Sequence, residues 1–439
     1  METRLTPEFA ASARGQRAER ILRSCVHCGF CNATCPTYQL LGDELDGPRG
    51  RIYLIKQVLE GAAPTRETQQ HLDRCLTCRN CESTCPSGVQ YGQLVDIGRE
   101  IVEERVNRPT AEALLRTALR EGLTSPAFAP ALRLGQKVRG LLPESLKAKV
   151  PEARPAGRVP ERHHRRKVLM LAGCVQPAMA PSIDAATMRV LDALGVQAVV
   201  APRSGCCGAI RQHLADGHGA QADARRNIDA WWPWLQPVQG GEAPAEAIVI
   251  NASGCGAMIR EYGHLLQDDP AYADKAQFVA GHTLDLGQWL AAQGPLSMPD
   301  VAIAPSASSD VADLTHLAAP AVPLEAQVAV AFHPPCSLQH AQQIRGVIES
   351  LLVALGARLV PVQEAHLCCG SAGTYSVLQP ELSRQLRDRK LGHLQAGGPE
   401  VILSANIGCL AHLQSGTATP VRHWIEWVDE RMSASRHLS

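Results

Sequence analysis

An excess of charge of either sign is missing from this 439-residue chain: 43 Lys and Arg face 43 Asp and Glu, and aromatic residues make up only 4%. A balanced charge argues against a surface built as a whole to hold nucleic acid, so no nucleic-acid partner is expected, although local patches are free to differ. The opening stretch, METRLTPEFAASARGQRAER, is polar and lacks the apolar segment of a secretory signal. No apolar run reaches the roughly 18 residues that would mark a membrane span. The expectation is a chain that stays in a reducing cytosol and crosses no membrane, with peripheral contact left open. Neither a G-x-G-x-x-G following a strand nor a P-loop is present, which leaves no flavin or nicotinamide site. Such a chain can pass single electrons but has no hydride acceptor of its own, so it needs a partner.

What the chain does have is cysteine, 16 residues of it, alongside 45% hydrophobic residues, enough for cores in about three domains. In a reducing compartment cysteine in this quantity points to metal or redox chemistry rather than to disulfides. The cysteines fall into four sets of four: Cys25, Cys28, Cys31, Cys35; Cys75, Cys78, Cys81, Cys85; Cys174, Cys206, Cys207, Cys255; and Cys336, Cys368, Cys369, Cys409.

The first two sets read C-x2-C-x2-C-x3-C-P, as CVHCGFCNATCP and CLTCRNCESTCP. Three thiolates at this spacing wrap one face of an iron–sulfur cube, and the fourth, turned away before proline, ligates the other cluster. On that rule Cys25, Cys28, Cys31 and Cys85 hold one [4Fe–4S] cluster, and Cys75, Cys78, Cys81 and Cys35 hold the second. Four-cysteine zinc sites are the alternative, but they use paired CxxC knuckles. The 39 intervening residues contain RGRIYLIKQVLEG, an amphipathic helix opening after Pro48, so the module should be of the helical kind. Arg49, Arg51, Arg74 and Arg79 lie close in sequence to the clusters, where positive charge would favour the reduced state. His27 reads as a packing or surface residue.

The last two sets belong to an internal repeat. KVLMLAGC and VAVAFHPPC are short strands ending in Cys174 and Cys336, and in both copies 31 residues separate that cysteine from a CCG triplet. A helix-like stretch and an apolar strand lie between them. After each triplet come a polar helical stretch and a further strand leading to Cys255 or Cys409. Alternating strands and helices predict parallel βαβ units with cysteines at the carboxyl edge, where open α/β sheets bind ligands. Glycine after the vicinal pair permits close backbone approach. These eight cysteines are a candidate cluster, metal or redox site, with buried free thiols as the alternative. His282 and His423, each followed three residues on by an acid, are candidates to join them or to start helices.

The expected architecture is α+β and multidomain. Residues 1–105 form a helical ferredoxin-like module for two [4Fe–4S] clusters, and 106–166 a basic, proline-rich connector. Residues 167–292 form a first α/β cysteine-rich (CCG) repeat, 293–326 a linker, and 327–439 a second repeat. From Ala131 to Lys167 there are 11 Lys and Arg against 3 Glu. Within this connector, residues 131–149 form a basic amphipathic stretch that could meet a membrane or pack between domains. WWPW at 231–234 is either an interfacial anchor or core.

CVHCGFCNATCPTYQLLGDELDGPRGRIYLIKQVLEG, HLDRCLTCRNCESTCPSGVQY, ASGCGAMIREYG, HLCCGSAGTY and VRHWIEWV resemble the iron–sulfur subunits of bacterial glycolate oxidases over nearly the whole chain. The resemblance implies an oxidoreductase subunit that is not catalytic alone, acting with two FAD-containing subunits that oxidise glycolate, and D-lactate, to the 2-oxo acid. Electrons would pass to quinone or another membrane acceptor, from a peripheral position on the cytoplasmic face of the inner membrane. FAD would reside only in the partners. Related glycerol-3-phosphate or lactate dehydrogenases are alternatives, as is a non-redox interaction module fixed by metal. Heterodisulfide reductase relatives close the CCG pattern with CxxC. Here Ala252 and Asn406 replace its first cysteine, which puts a non-cubane cluster in doubt.

Overall fold

The computed structural model describes residues 1–141, 152–237, 243–294 and 327–436. The interrepeat linker, apart from its first two residues, and positions 142–149 of the basic stretch lie outside them. The N-terminal module is helical. Helix Pro48–Leu59 starts on a proline, whose fixed φ and missing N–H cost nothing in a first turn. It buries Ile52, Ile55, Val58 and Leu59 against Leu94, Ile97, Ile101 and Val102 of helix Tyr91–Arg105. Burying each such side chain contributes roughly 1.5–3 kcal/mol. The helices touch closely enough that a Cβ on Gly98 would sit 2.6 Å from Cγ1 of Ile55. The basic connector continues as helices Thr110–Thr124 and Phe128–Lys137, then runs without regular structure from 152 to 165.

Each cysteine-rich repeat is built on a four-stranded, wholly parallel sheet. In the first, β1 (Arg166–Met170), β2 (Val196–Val200), β3 (Ile248–Ile250) and β4 (Thr283–Asp285) take the order β2-β1-β3-β4. In the second, β5 (Val328–His333), β6 (Ala357–Leu359), β7 (Val401–Ser404) and β8 (Val421–His423) repeat it as β6-β5-β7-β8. The central strands are buried on both faces, which explains why they are mostly apolar rather than alternating. Chain direction across the sheet reverses between β1 and β3, and between β5 and β7. The cysteines follow the carboxyl ends of the strands flanking these switch points, where α/β sheets place ligands.

One hydrophobic core runs through both repeats. Helix Leu286–Ala292 at the end of the first repeat packs on Val347–Ala354 of the second, and the C-terminal helix Trp424–Arg436 packs on Pro181–Ala193 of the first. Arg189 joins Asp429 at 2.7 Å across the second of these contacts. In WWPW, Trp231 is fully buried in a core on the far face of the first sheet, and Trp232 packs edge-on to Phe278, so the segment is core.

Candidate metal centres

The two N-terminal cysteine loops have the same backbone. Helix Ala13–Ser24 ends at Cys25, and the loop turns through two left-handed residues, His27 (φ 59°) and Gly29 (φ 86°), into a short helix Phe30–Ala33. In the second loop Thr77 (φ 51°) and Arg79 (φ 60°) occupy the same places before helix Asn80–Thr84. These turns fold each CxxCxxC back on itself. Cys35 then caps helix Pro36–Leu41, which carries its thiol away from its own triplet.

The thiols gather accordingly. A hollow of about 440 Å³ is lined by Cys25, Cys28, Cys31 and Cys85, with Cys81 at its edge. A second, of about 290 Å³, is lined by Cys35, Cys75, Cys78 and Cys81. All-thiol donor sets around a void suit an iron–sulfur cluster. Burial pushes the Cys31 thiol up to about 11, with Cys25, Cys85 and Cys28 adding to the rise. Burial likewise raises Cys81, among Cys78, Cys75 and Cys35. These thiols give up protons when iron binds. Tyr91, fully buried, lines both hollows and donates its hydroxyl to Cys75 Sγ at 3.6 Å, while Thr37 Oγ1 lies 3.3 Å from Cys35 Sγ. Neither residue belongs to the cysteine motif, and spacing alone gives no sign of them.

The two hollows differ in exposure. Cys28 is exposed, beside Val26 and Phe30, which are 68% and 62% exposed. Cys78 instead joins Leu76 in an apolar cluster with Cys336, Cys368 and Tyr375 of the second repeat. The nearby arginines are charge-compensated: Arg49 by Glu44, Arg51 and Arg74 by Asp46, and Arg79 by Glu82 and by Glu261 of the first repeat. Arg51 is the one buried fully, near Cys75 and Cys35. His27 is exposed and faces the Tyr53 ring.

In the first repeat Cys174 Sγ lies 3.5 Å from Cys206 Sγ, and Cys207 bonds to both Cys206 and Cys255. Thiol donation from Cys174 and Cys207 lowers the Cys206 thiol relative to its neighbours. The second repeat forms the same string, Cys336 to Cys368, Cys368 to Cys369, and Cys369 to Cys409. The glycines after the pairs, Gly208 (φ +91°) and Gly370 (φ +89°), are left-handed, and a Cβ on Gly370 would stand 2.6 Å from the Ser383 carbonyl. Any side chain is therefore excluded there.

Neither candidate histidine reaches these cysteines. His282 donates Nδ1–H to the Phe278 carbonyl at 2.8 Å and stacks on that ring. His423 is buried, with Nε2 on the Asn251 carbonyl at 2.9 Å and Nδ1 accepting from the Ile425 N–H. Burial holds it down at about 4. Among the described residues the histidine that does meet the cysteines is His333, the last residue of β5, grouped with Cys369 and Cys409.

Comparison with known proteins covers both halves of the chain. Residues 21–89 match the family described as "4Fe-4S dicluster domain", and residues 168–260 and 330–414 match the CCG "Cysteine-rich domain". The chain is 51% identical to the "Glycolate oxidase iron-sulfur subunit" of Escherichia coli (strain K12), over 98% of this chain and 99% of that one. It is 31% identical to the "Probable glycolate oxidase iron-sulfur subunit" of Bacillus subtilis (strain 168), over 90% and 89%. A "Lactate utilization protein A" of Exiguobacterium is 27% identical over 60% of this chain and 97% of its own length. The crystal structure of a hypothetical protein from Helicobacter pylori superposes with a TM-score of 0.51 at 10% identity, covering 96% of this chain and 73% of that one, a likeness of fold alone.

Proposed function

The chain belongs to the family of glycolate oxidase iron–sulfur subunits, and from that premise we propose that it is the electron relay of a complex oxidising glycolate, and D-lactate, to the 2-oxo acid. Cys25, Cys28, Cys31 and Cys85 hold one [4Fe–4S] cluster, and Cys75, Cys78, Cys81 and Cys35 the other. Each cluster, when bound, stores one electron at a time. The single observation that carries the reading is two adjoining thiol-lined hollows with the buried Tyr91 between them, one open to solvent at Cys28 and the other closed over by the second repeat.

The chain's own residues give this relay a direction. Val26 and Phe30 form an apolar rim beside exposed Cys28, suited to a protein surface that excludes water at the transfer point. FAD-containing partner subunits dock there and supply electrons. Tyr91 and Thr37 meet thiols of the inner set, Arg51 donates to the Thr37 hydroxyl, and buried hydrogen bonds of this kind tune potential. Electrons then leave toward quinone or another membrane acceptor. Among the described residues no helix is long and apolar enough to cross a membrane. Peripheral contact with the inner membrane is assigned to helix Phe128–Lys137 and the turn after it, where Leu134 and Leu141 are 64% and 87% exposed beside Arg133, Lys137 and Arg139.

The test is iron and sulfide analysis, with spectroscopy, of the complex co-purified without oxygen. Expected are about eight irons per chain from two cubanes, visible absorption that bleaches, and reduced-state resonance that appears on adding glycolate. Colourless protein carrying zinc in the N-terminal module would overturn the relay and leave an interaction module. Reduction by lactate or glycerol 3-phosphate but not glycolate would transfer the chain to a related dehydrogenase.

A further inference from the structure

His333 is 1% exposed, and neither ring nitrogen has a hydrogen-bond partner. A buried imidazole with two unmet nitrogens costs on the order of 1–3 kcal/mol for each unpaired group, so a partner is called for. The ring sits at the switch point of the second sheet, and its nitrogen and the sulfurs of Cys369 and Cys409 all lie within 4.8 Å of one another. Cys369 is bonded in turn to Cys368, whose sulfur accepts the Gly370 N–H at 3.4 Å. Two thiols and an imidazole, converging at the carboxyl edge of a rigid sheet, make three protein donors for one ion of borderline softness, with a fourth position open. Lys390, also buried, donates to the Glu364 carbonyl at 2.6 Å near these thiols, offsetting part of their charge when deprotonated.

The first repeat differs at this one position. Aligning Cys174 with Cys336 places Leu171 opposite His333, and Leu171 packs into an apolar core. The repeats share strand order, CCG backbone and thiol string, yet among the described residues the second alone brings an imidazole to its cysteines.

We propose that the second repeat binds one Zn²⁺ or Fe²⁺ ion through His333, Cys369 and Cys409, and that the first repeat binds none. The inference stands apart from the relay reading, because the ion is counted separately from the two cubanes.

In a cubane, iron and acid-labile sulfide are equal, so a lone ion is metal in excess of sulfide. Full-length chain, purified in its complex without oxygen, is analysed for iron, zinc and sulfide as wild type and as His333→Leu, Cys409→Ser and Cys174→Ser. The leucine variant copies the residue that the same strand end carries in the first repeat, so the fold accommodates it. Expected is one equivalent of excess metal in wild type. The excess should fall at least about fivefold in His333→Leu and Cys409→Ser, as loss of a direct ligand requires. Sulfide should stay constant in every variant, and the excess should be intact in Cys174→Ser. X-ray absorption at the zinc edge, or Mössbauer spectra if the excess is iron, should show a sulfur-rich site with one nitrogen. Metal equal to sulfide in wild type, an excess that survives His333→Leu, or one lost with Cys174 alone would each overturn the proposal.

Discussion

Cys336, three residues past the end of β5, and Cys78 of the second N-terminal loop lie in one apolar cluster, with Cys78 close enough to raise the Cys336 thiol. A cysteine of the inner set and a cysteine of the second repeat are thus in direct contact, across the boundary between two folds. Its neighbours Cys368 and Cys78, together with burial, raise the Cys336 thiol well above its ordinary value, so it keeps its proton and is the thiol of this cluster able to donate toward Cys78. A hydrogen bond to a cluster sulfur favours the reduced state. Cys336→Ala should therefore lower one of the two midpoint potentials by some tens of millivolts, the worth of about 1 kcal/mol, and leave the other unmoved. Potentiometric titration followed by EPR checks it.

The exposed rim gives a different prediction. Val26→Glu with Phe30→Glu places charge where a partner must exclude water. Glycolate-driven reduction of the clusters should slow at least about tenfold, since core contacts of an interface commonly contribute more than 1 kcal/mol each. Reduction by dithionite and the iron content should not change.

Arg79 separates structural from electronic roles. Its guanidinium lies between Glu82 and Glu261, both at 2.7 Å. Arg79→Leu leaves two carboxylates facing each other at the seam between the module and the first repeat. The expected result is a lowered melting temperature, from roughly 1–3 kcal/mol of lost stability, with potentials nearly constant because the two carboxylates beside Arg79 screen its charge from the clusters. A large potential shift would restore Arg79 as a tuning charge.

Charge reversal tests membrane contact. Lys137→Glu with Arg139→Glu should cut sedimentation with anionic lipid vesicles at least about tenfold, given about 1 kcal/mol per basic residue near such a surface. Binding to neutral vesicles should change little. Equal sedimentation of wild type and variant would leave the exposed Leu134 and Leu141 to a protein partner.

Asp285 carries a pH dependence. It caps helix Leu286–Ala292 through the Gly287 N–H at 2.8 Å, and burial pushes its carboxyl up to about 7, against the pull of that bond and of Arg260. The folded value is raised above the unfolded one near 3.9. Its contribution is therefore complete below pH 4 and lost as pH rises through 7, at an upper bound of about 4 kcal/mol. Asp285→Asn keeps the cap and removes the charge. The variant should match wild type near pH 4 and melt higher at pH 8.

Much of this was legible before any coordinates. The C-x2-C-x2-C-x3-C-P spacing carries its own geometry, because two left-handed turns are the only way for so short a loop to aim three thiols inward. The strand-to-cysteine repeats announced parallel sheets with thiols at one edge, for strand polarity puts every such cysteine on the same side. What stayed hidden depends on approach between distant segments. Tyr91 lies between the hollows because helix Tyr91–Arg105 crosses both loops. His282 and His423 recur at matching places in the repeats and look like ligands, but their rings close on local or interrepeat carbonyls. His333 does not recur, and that single departure from the repeat was the available signal. Its meaning required knowing where β5 ends.

The two repeats meet helix to helix: Trp424–Arg436 packs on Pro181–Ala193 of the first, and Leu286–Ala292 packs on Val347–Ala354 of the second. The last helix of each repeat thus covers a flanking helix of the other, in a reciprocal exchange. A solitary ancestor with this sequence pattern would have had a bare flank, and a second copy of itself would have been the natural cover. Joining the two copies in one chain keeps that cover in place. Once joined, the two halves were free to diverge without losing each other, and a leucine on one side and a histidine on the other is what such freedom permits.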